Sequence, residues 1–406
     1  MNDKLSNIKV VKFGGSSLAD ANQFKKVASI ILSDPSRVFV VASAPGKRDD
    51  TDEKVTDMLL DCYAKAASGN DFDAQLAKIK ARFDSISAAL ELPITLDGEF
   101  ETIRENLTKG CTRDYVASRG EYLNSKLLAS FLGFDFIDPA GFIFFDADGN
   151  FDANKTNMAL SDELRLHKNA VVPGFYGSMP SGEIKTFSRG GSDITGAIVA
   201  RAAEAAVYEN WTDVSGFMVV DPRIIPNPIS ISRITYSELR EMSYMGANVL
   251  HDDSVFPVRE KNIPINIRNT NEPDHPGTMI MEDCSEMDKV DPPHAITGIT
   301  GRKNYTVISL TKAHSSAEIG FLRKVLQIFE KYNVSIEAVP VTVDTYSIVV
   351  QTHLINHCLY EIIGELKETV HPEDIRVEDH QAMIAVVGRE MKQRAGISGQ
   401  LLSEFG

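Results

Sequence analysis

The feature that most constrains the fold is an alternation of short apolar segments with longer segments of helical periodicity. The apolar segments in the first two thirds of the chain include RVFVVAS, FDFID, AVVPGFYG and AAVYENWTD, and each ends in residues typical of turns. Helical patterns such as DEKVTDMLLDCYAKAAS, EYLNSKLLASFLG and SDITGAIVARAAEA lie between them. This alternation predicts an α/β fold in which helices sandwich a mainly parallel sheet.

A different pattern begins after an acidic, proline-containing stretch at residues 282–294. Strand-like and helix-like segments then follow in the order βαββαβ, which predicts an α+β unit of the ferredoxin-like type. One more strand-like segment and one helix-like segment come after this unit, and so short a fragment cannot bury its apolar face alone. We therefore expect a second unit of the same type that is incomplete.

These changes of pattern predict the domain boundaries. Residues 61–110 are polar and sparsely apolar, and we expect them to form a helical excursion from the sheet. The acidic, proline-containing stretch is the best candidate for a linker. The predicted parts are an α/β domain over 1–285, a linker over 286–298 and an α+β region over 299–406, with a first unit over 299–380 and a partial second unit over 381–406.

Charge and composition exclude several classes of protein. The 406 residues include 57 acidic and 42 basic side chains, a net charge of −15, whereas proteins that bind nucleic acids collect positive charge. No apolar run is long enough to span a membrane, and the N-terminal residues lack the apolar core of a signal peptide. Cys62, Cys111, Cys284 and Cys358 lack the paired spacing of a zinc site or a disulfide framework. We therefore predict a cytoplasmic protein without a nucleic-acid or membrane partner.

The segment KFGGSS stands where the first apolar run passes into a helical pattern. In an open α/β sheet, ligands bind beyond the carboxyl ends of the strands, and glycine lets the backbone approach phosphate oxygens closely. Lys12 would supply a cation that can follow a transferring phosphoryl group. A tight structural turn with a surface lysine explains the same residues, and no Walker-type motif occurs in the chain.

Five segments in a fixed order carry a more specific signal: VVKFGGSSLAD, SRGEYLNSKLLASFL, TFSRGGSDITGAIVA, NWTDVSGFMVVDPR and MSYMGANVLHDDSVFPVRE. Together they resemble the aspartate kinases of the amino acid kinase family over essentially the whole chain. The βαββαβ pattern resembles the regulatory ACT domains that follow the kinase domain in those enzymes. The fold expected from this resemblance is the amino acid kinase fold followed by an ACT region.

The resemblance implies an enzyme that uses ATP to phosphorylate the β-carboxylate of L-aspartate. The product, 4-phospho-L-aspartate, begins the biosynthesis of lysine, threonine and methionine. Two alternatives stay open at this point. One is a kinase for another amino acid or small molecule on the same scaffold, and the other is a non-catalytic regulator that binds an amino acid.

The catalytic residues implied by the resemblance are Lys12, Gly14, Gly15 and Asp193. A carboxylate acceptor is ionised at neutral pH, so the transfer needs no general base, only cations and amides that bring two anions together. Lys12 and the amides around the two glycines suit that task. Asp193 could orient Lys12, meet the substrate ammonium or cap the following helix.

The aspartate-binding residues implied by the resemblance are Ser43, Thr56, Glu121, Arg189 and Ser192. Arginine suits the α-carboxylate because its planar fork makes paired hydrogen bonds, and a carboxylate suits the α-ammonium. A surface ion pair or a glutamate at a helix start would be the alternative for Glu121. The loop between Ser43 and Thr56 is longer than the compact loop of many relatives.

The nucleotide-binding residues implied by the resemblance are Trp211, Thr212 and Asp213 near adenine and ribose, with Asp221 and Arg223 in the rest of the ATP site. The segment DPR, which contains the last two, could equally be a structural turn. ATP is expected to bind with Mg²⁺, held mostly by phosphate oxygens and water, because no cluster of carboxylates is visible and no protein-built metal site is predicted.

Two positions depart from the family pattern. Asn248 stands where many relatives carry a lysine, and Met218 stands where a tyrosine is common. One cation on the nucleotide side is therefore missing, and Arg223 or Lys261 would have to compensate for it.

The ACT region matches the places where relatives bind an amino acid effector, namely HSSAEIGFL and IEAVPVT. The effector candidates are Ser315, Ser316, Glu337 and Thr342, while the apolar residues of the helix form its core face. Because the second unit is expected to be incomplete, we expect weak binding of lysine or threonine and catalysis nearly insensitive to both. Exposed apolar residues of the tail favour self-association, so we predict a homo-oligomer, a dimer or a tetramer.

Overall fold

A central sheet covered by helices dominates the first part of the chain. The computed structural model describes residues 7–188, 190–246, 250, 255–290, 296–389, 391 and 395–405, without the side chains of Val290, Ser316 and Phe405. The strands before the C-terminal region are β1 (Lys9–Phe13), β2 (Arg37–Ala42), β3 (Asp135–Phe136), β4 (Ala170–Pro173), β5 (Tyr176–Ser178), β6 (Ile184–Thr186), β7 (Val207–Thr212), β8 (Arg233–Thr235), β9 (Ile265–Asn269) and β10 (Thr278–Met281).

Eight of these strands form one sheet in the order β3-β4-β2-β1-β7-β9-β10-β8. Neighbouring strands are parallel except for β9 and β10, which are antiparallel. Strands β5 and β6 form a separate antiparallel pair. The predicted mainly parallel sheet is confirmed.

The helices of this part connect the strands. They are α1 (Ala21–Leu32), α2 (Val55–Ala67), α3 (Asp73–Ala89), α4 (Asp97–Lys109), α5 (Arg113–Leu132), α6 (Ala153–Leu164), α7 (Gly191–Ala202), α8 (Tyr236–Tyr244), α9 (Phe256–Arg259) and α10 (Ser285–Val290). Sequence explains several of their ends: the Asp20 carboxylate accepts the amides of Asn22 and Gln23 to begin α1, and Gly133 adopts a left-handed conformation after α5.

Alternation along the strands assigns their side chains to the two faces of the sheet. Val11, Phe13 and Trp211 lie in one hydrophobic core with residues of α1 to α5. Lys12, which lies between Val11 and Phe13, instead contacts Asp193 of α7. Because successive side chains of a strand point to opposite faces, α7 covers the face that α1 and α5 leave open.

The segment 61–110 is helical and packs on α5. It contains most of α2, together with α3 and α4. Leu76, Ile79 and Phe83 of α3 and Phe100 of α4 are buried in the same core as the sheet residues. This segment is therefore a packed part of the first unit and contributes to its core.

The C-terminal region forms a second, four-stranded sheet in the order β12-β13-β11-β14. Two of its helices, α11 and α13, share one buried core with strands β11 and β13. This order is that of the ferredoxin-like fold, which confirms the predicted α+β region. The elements are β11 (Gly298–Thr311), α11 (Phe321–Lys331), β12 (Ile336–Ala338), β13 (Thr345–Gln351), α12 (Thr352–Ile355), α13 (Leu359–Val370), β14 (Asp374–Val387) and α14 (Ile397–Phe405).

Contacts divide the chain into two compact units, and the division at Ile299 coincides with the predicted start of the α+β region, whereas the division after Val387 matches no predicted boundary. The first unit contains the described residues up to Ser243, those from Leu250 to Gly298 and those from Gly388 onward. The second unit contains Tyr244 together with Ile299–Val387. The predicted partial unit at 381–406 is thus divided, because β14 continues to Val387. The predicted linker at 286–298 is in part helical, since α10 includes its beginning. Among the described helices none is long and apolar enough to cross a membrane.

Ion pairs hold the chain after β14 on the first unit. Arg389 donates to the buried carboxylate of Glu238 at 2.9 Å and also contacts Asp288. Thr235 and Thr297 donate to the same Glu238 carboxylate. These contacts explain why the residues after Val387 group with the first unit.

A buried ionic cluster lies inside the central sheet around Glu209 of β7. Glu209 is 2% exposed and accepts hydrogen bonds from Arg37 Nε at 2.8 Å and from Trp211 Nε1 at 2.8 Å. The guanidinium of Arg37 lies 5.2 Å from the centre of the Trp211 ring, and that of Arg268 lies 4.6 Å from it. Each charge in this cluster therefore has a partner, as burial requires.

We predict that Glu209→Gln lowers the free energy of unfolding by about 3 kcal/mol or more, because Arg37 would stay buried without a counter-charge. The control is Glu105→Gln, which breaks an exposed pair with Lys109 and should cost less than about 0.5 kcal/mol. Denaturant unfolding of both variants measures the difference. Equal effects would contradict the structural role of the cluster.

Candidate active site

The carboxyl ends of β2, β1 and β7 lie level at one edge of the sheet. Phe13 pairs with Ala42 on one side and with Trp211 on the other. The Gly14 amide donates to the Trp211 carbonyl at 3.0 Å, and the Ser43 amide donates to the Phe13 carbonyl at 3.2 Å. The residues predicted after these three strands are therefore neighbours at this edge.

The loops that follow β1 and β2 touch each other backbone to backbone. The Gly46 amide donates to the Gly15 carbonyl at 2.8 Å. A Cβ atom on Gly46 would lie 2.6 Å from the Gly15 carbonyl carbon, and one on Gly15 would lie 2.8 Å from the Ala44 oxygen. Any side chain at either position would force the loops apart. The close approach of the two loops therefore requires glycine at position 15. It also requires Gly46, which the sequence analysis missed.

Lys12, Asp193 and Asn210 form a polar cluster on the α7 face of the sheet. Lys12 is 7% exposed, and its Nζ lies 2.6 Å from Asp193 Oδ1 and 3.5 Å from Asn210 Oδ1. Asn210 Nδ2 donates to the same Asp193 oxygen at 2.9 Å. The three side chains therefore hold one another in place.

Asp193 lies in the first turn of α7 without capping it. The N-cap position is Gly190, in the left-handed conformation, and no side chain caps the helix there. Asp193 therefore does not cap the helix, because its carboxylate pairs with Lys12 and accepts a hydrogen bond from Asn210. The sequence analysis missed Asn210, although an asparagine inside an otherwise buried strand was a usable signal.

Glu121 lies in the middle of α5, directly against the loop after β2. It is 6% exposed, and its Oε2 has no hydrogen-bond partner among the described residues. Burial raises the pKa of Glu121 to about 8, against the lowering effect of the Ala44 amide. A Cβ on the preceding Gly120 would lie 2.7 Å from Ala44 Cβ, so glycine permits this close approach. A buried acceptor without a partner is suited to receive a cation.

The remaining predicted substrate residues lie around the same loops. Ser43 begins the loop after β2, and its carbonyl accepts a hydrogen bond from Asn124 Nδ2 at 2.7 Å. Thr56 is the second residue of α2, and Ser192 lies in the first turn of α7. Gly174 approaches Ser192 so closely that a Cβ on it would lie 2.6 Å from Ser192 Cβ. Arg189 lies outside the described residues.

The predicted nucleotide residues separate into buried and exposed ones. The Trp211 side chain is 1% exposed and stacks on Phe13 with 5.9 Å between ring centres, so only its backbone reaches the edge of the sheet. Thr212 donates to the carboxylate of Asp213, which is exposed. Thr212 ends β7, and Asp213 follows it at this edge of the sheet.

Asp221 and Arg223 form an ion pair with each other at 2.6 Å on the surface, the arrangement that a structural turn would also give. Met218 lies near Ser230, whose Oγ donates to its sulfur at 3.3 Å. Lys261 is exposed after α9. Asn248 lies outside the described residues. The described contacts therefore do not connect these side chains to the Lys12 cluster.

The effector candidates lie in the second compact unit, within Ile299–Val387. Ser315 is 1% exposed, and its Oγ has no partner among the described residues. The Glu337 carboxylate already accepts hydrogen bonds from the Tyr244 hydroxyl at 2.7 Å and from Gln351 Nε2 at 2.6 Å. Thr342 is exposed, and the side chain of Ser316 lies outside the described residues. Among the candidates whose side chains are described, Ser315 has a buried polar atom without a partner.

The described part of the chain holds no group of three or more histidine, cysteine, aspartate or glutamate side chains that could bind a metal ion. The four cysteines are free thiols.

We predict that Glu121 makes stability depend on pH. Folding raises its pKa from 4.5 to about 8. At pH values between these two, the folded protein therefore keeps this carboxyl group protonated, whereas the unfolded protein does not. The free energy of unfolding should therefore fall as the pH rises through this window. Glu121→Gln cannot ionise, and its thermal unfolding midpoint should fall less than that of the parent protein between about pH 5 and about pH 8. Glu101→Gln, on the exposed side of α4, is the control, and an unchanged pH dependence in Glu121→Gln would contradict the assignment.

A family model and several known proteins are similar to this chain. A family model described as the amino acid kinase family matches residues 7–269. Aspartokinase 3 of Bacillus subtilis is 34% identical, over 97% of this chain and 89% of that protein. Lysine-sensitive aspartokinase 3 of Escherichia coli is 27% identical, over 98% of this chain and 90% of that protein.

A solved structure agrees with these sequence matches. The crystal structure of Clostridium acetobutylicum aspartate kinase, described as an allosteric enzyme, is 45% identical with a TM-score of 0.89, over 98% of this chain and 90% of that one. The resemblance inferred from the five segments is confirmed. The chain belongs to the amino acid kinase family and, within it, to the aspartokinases.

Proposed function

We propose that this chain is an aspartate kinase, which transfers the γ-phosphoryl group of ATP to the β-carboxylate of L-aspartate. The products are ADP and 4-phospho-L-aspartate, the first step towards lysine, threonine and methionine. Membership of the aspartokinases supports this activity. The observation that carries it is the buried Lys12, held by Asp193 at the carboxyl edge of the sheet beside two glycine loops.

The chemistry needs positioning and charge rather than a base. A β-carboxylate oxygen attacks the γ-phosphorus, the bond from phosphorus to the β,γ-bridging oxygen breaks, and ADP leaves with the electron pair. Lys12 would stabilise the negative charge on the transferring group, and Asp193 with Asn210 would keep its ammonium in position. No proton has to move for this step.

The backbone of the glycine turn has two amides for phosphate oxygens. The Gly14 amide already donates to the Trp211 carbonyl, so it shapes the turn. The amides of Gly15 and Ser16 have no hydrogen-bond partner among the described residues. We assign these two amides, with Lys12, to the phosphates of ATP.

Aspartate would bind between α5 and the start of α7. The unpartnered Oε2 of Glu121 would accept the α-ammonium, which would also favour ionisation of this carboxyl group. Arg189 would hold the α-carboxylate through its fork, and Ser43, Thr56 and Ser192 would donate hydroxyl contacts. These roles of individual residues are part of the proposal.

ATP would extend from the glycine turn towards the end of β7. Thr212 and Asp213 would contact adenine and ribose, with the backbone of Trp211, and Asp221 and Arg223 would line the rest of the site. The described residues offer no carboxylate cluster that would fit a protein-built Mg²⁺ site. Mg²⁺ would therefore be held mostly by phosphate oxygens and water, where it supplies positive charge to the phosphates.

The second unit supports a regulatory role. Two aspartokinases similar to this chain are described as lysine-sensitive and as allosteric. We propose an amino acid such as lysine or threonine as the effector, with the buried Ser315 hydroxyl among its contacts and with weak binding, because the second ACT unit is expected to be incomplete. Assembly into a homo-oligomer and a cytoplasmic location complete the proposal.

Acyl phosphate formation tests the activity. Incubation with ATP and aspartate, followed by trapping with hydroxylamine, should give aspartyl hydroxamate. Replacing aspartate with glutamate or acetylglutamate distinguishes a kinase for another substrate. Binding of an amino acid without any hydroxamate would instead support a non-catalytic regulator and would overturn the proposed activity.

We predict that Lys12→Met lowers kcat by about a hundredfold or more, with little change in aspartate affinity, because the ammonium acts on charge that develops during transfer. The control is Lys25→Met, which removes an exposed lysine of α1. Steady-state kinetics with the hydroxamate readout measure both variants. Near-normal turnover in Lys12→Met would contradict its role.

We predict that Arg189→Lys raises the KM for aspartate by about tenfold or more and the KM for ATP little, because lysine keeps the charge and loses the fork. Arg165→Lys, an exposed position after α6, is the matched control. An equal rise of both KM values would indicate a structural role for Arg189 instead.

A further inference from the structure

Arg82 of α3 directs its side chain out of the helical segment and into the loops of the candidate site. It is 6% exposed, and burial lowers its pKa although Asp52 counteracts this effect. The guanidinium donates to the carbonyl of Glu53 at 2.7 Å, to that of Gly46 and, at 3.4 Å, to that of Ala19. One buried cation therefore binds three backbone carbonyls.

These carbonyls belong to the two loops that bound the proposed site. Ala19 follows the glycine turn after β1, whereas Gly46 and Glu53 lie in the loop between β2 and α2. That loop begins with Ser43 and ends just before Thr56, the two hydroxyl residues assigned to aspartate. Its backbone contacts the glycine turn through the hydrogen bond from Gly46 to Gly15. Arg82 thus reaches both loops from a helix outside them.

The loop lacks regular structure, and its internal hydrogen bonds lie within residues 48–52. Residues 43–54 contain no helix or strand. Within them, Arg48 donates to Asp52, and the amide and hydroxyl of Thr51 donate to Asp49. Asp52 is held by Arg48, with Nε to Oδ2 at 2.8 Å, and lies 3.3 Å from Arg82. Arg48 and then Arg82 keep the pKa of Asp52 well below its usual range, so Asp52 supplies a counter-charge for Arg82.

The part of α3 that carries Arg82 is packed in the hydrophobic core. The neighbouring Phe83 is fully buried and lies 6.1 Å from the ring of Phe100, and Ile79 and Ile86 are buried in the same core. A guanidinium presents several donors in a fixed plane, which a lysine ammonium cannot reproduce. The loop is therefore contacted by a side chain whose own helix is held by packing in the core.

We propose that Arg82 is a positioning residue for aspartate, which acts by holding against the glycine turn the loop that begins at Ser43 and leads into α2, where Thr56 lies. The proposal rests on the proposed function, because it assigns this loop to the acceptor substrate. It gives the segment 61–110 an indirect part in substrate binding, through the loop between β2 and α2.

Kinetics of Arg82→Ala and Arg82→Lys test the proposal. In Arg82→Ala the KM for aspartate should rise by about ten- to a hundredfold, the range expected from losing charge-assisted hydrogen bonds, while the KM for ATP changes by less than about threefold. Arg82→Lys should be intermediate, and added guanidinium ion should partly restore aspartate binding in Arg82→Ala. The control, Lys80→Ala, removes a cation from the same helix whose ammonium forms ion pairs with Asp84 and Asp97, outside the loop.

Hydrogen exchange provides a readout that does not depend on activity. In Arg82→Ala the amides of residues 43–54 should exchange faster, while those of β1 and α5 stay protected as in the parent protein. Faster exchange throughout the first unit, or an equal rise of both KM values, would show a merely structural role and would overturn the proposal. Unchanged exchange in the loop would also overturn it. If Arg82→Ala does not fold, Arg82→Lys carries both measurements.

The same experiments separate failure of this proposal from failure of the proposed function. Absence of hydroxamate from the parent protein would refute the kinase activity, whereas the exchange data would still report whether Arg82 holds the loop. Normal parent activity with unchanged kinetics in both Arg82 variants would refute the positioning role alone.

Discussion

Close backbone contact between the loops after β1 and β2 holds the candidate site together. The contact depends on Gly15 and Gly46, because a Cβ at either position would collide with the backbone of the other loop. The same requirement recurs where α5 meets this region at Gly120 and where the loop after β4 meets α7 at Gly174. Glycine at these points lets two helices and three loops approach one another closely enough to enclose small, charged substrates.

The charges of the site work against the overall charge of the molecule. A net charge of −15 would repel ATP and aspartate at long range, although salt screens much of this effect. The amides of the glycine turn and the buried Lys12 offset this repulsion at the edge of the sheet, although Asp193 balances the charge of Lys12. Glu121 is a second acidic side chain near these loops, and its burial without a partner among the described residues suits the ammonium group of an amino acid.

Much of this arrangement follows from sequence, and the reasons for the rest are physical. Alternating apolar and helical segments predicted the sheet and the ferredoxin-like unit, because burial of one face requires those periods. Lys12 and Glu121 were found because the family resemblance implies roles for them. Asn210 and Asn124 lie in the same quoted segments but were not singled out, and Arg82 lies outside those segments. Their partners are 198, 81 and 36 residues away in the chain. Contacts at such separations depend on tertiary structure, which local pattern does not encode.

Strand alternation explains why neighbouring residues of β7 have unlike roles. Lys12 pairs with Asn210 and Phe13 pairs with Trp211 in the parallel register of β1 and β7. Lys12 and Asn210 therefore share the face covered by α7, where Asp193 meets both. Phe13 and Trp211 share the opposite face and stack in the core. Because Lys12 and Asn210 point towards Asp193, the residues that follow them, Phe13 and Trp211, must point to the opposite face. The Trp211 side chain therefore lies in the core, and only its carbonyl, bound by the Gly14 amide, remains at the site.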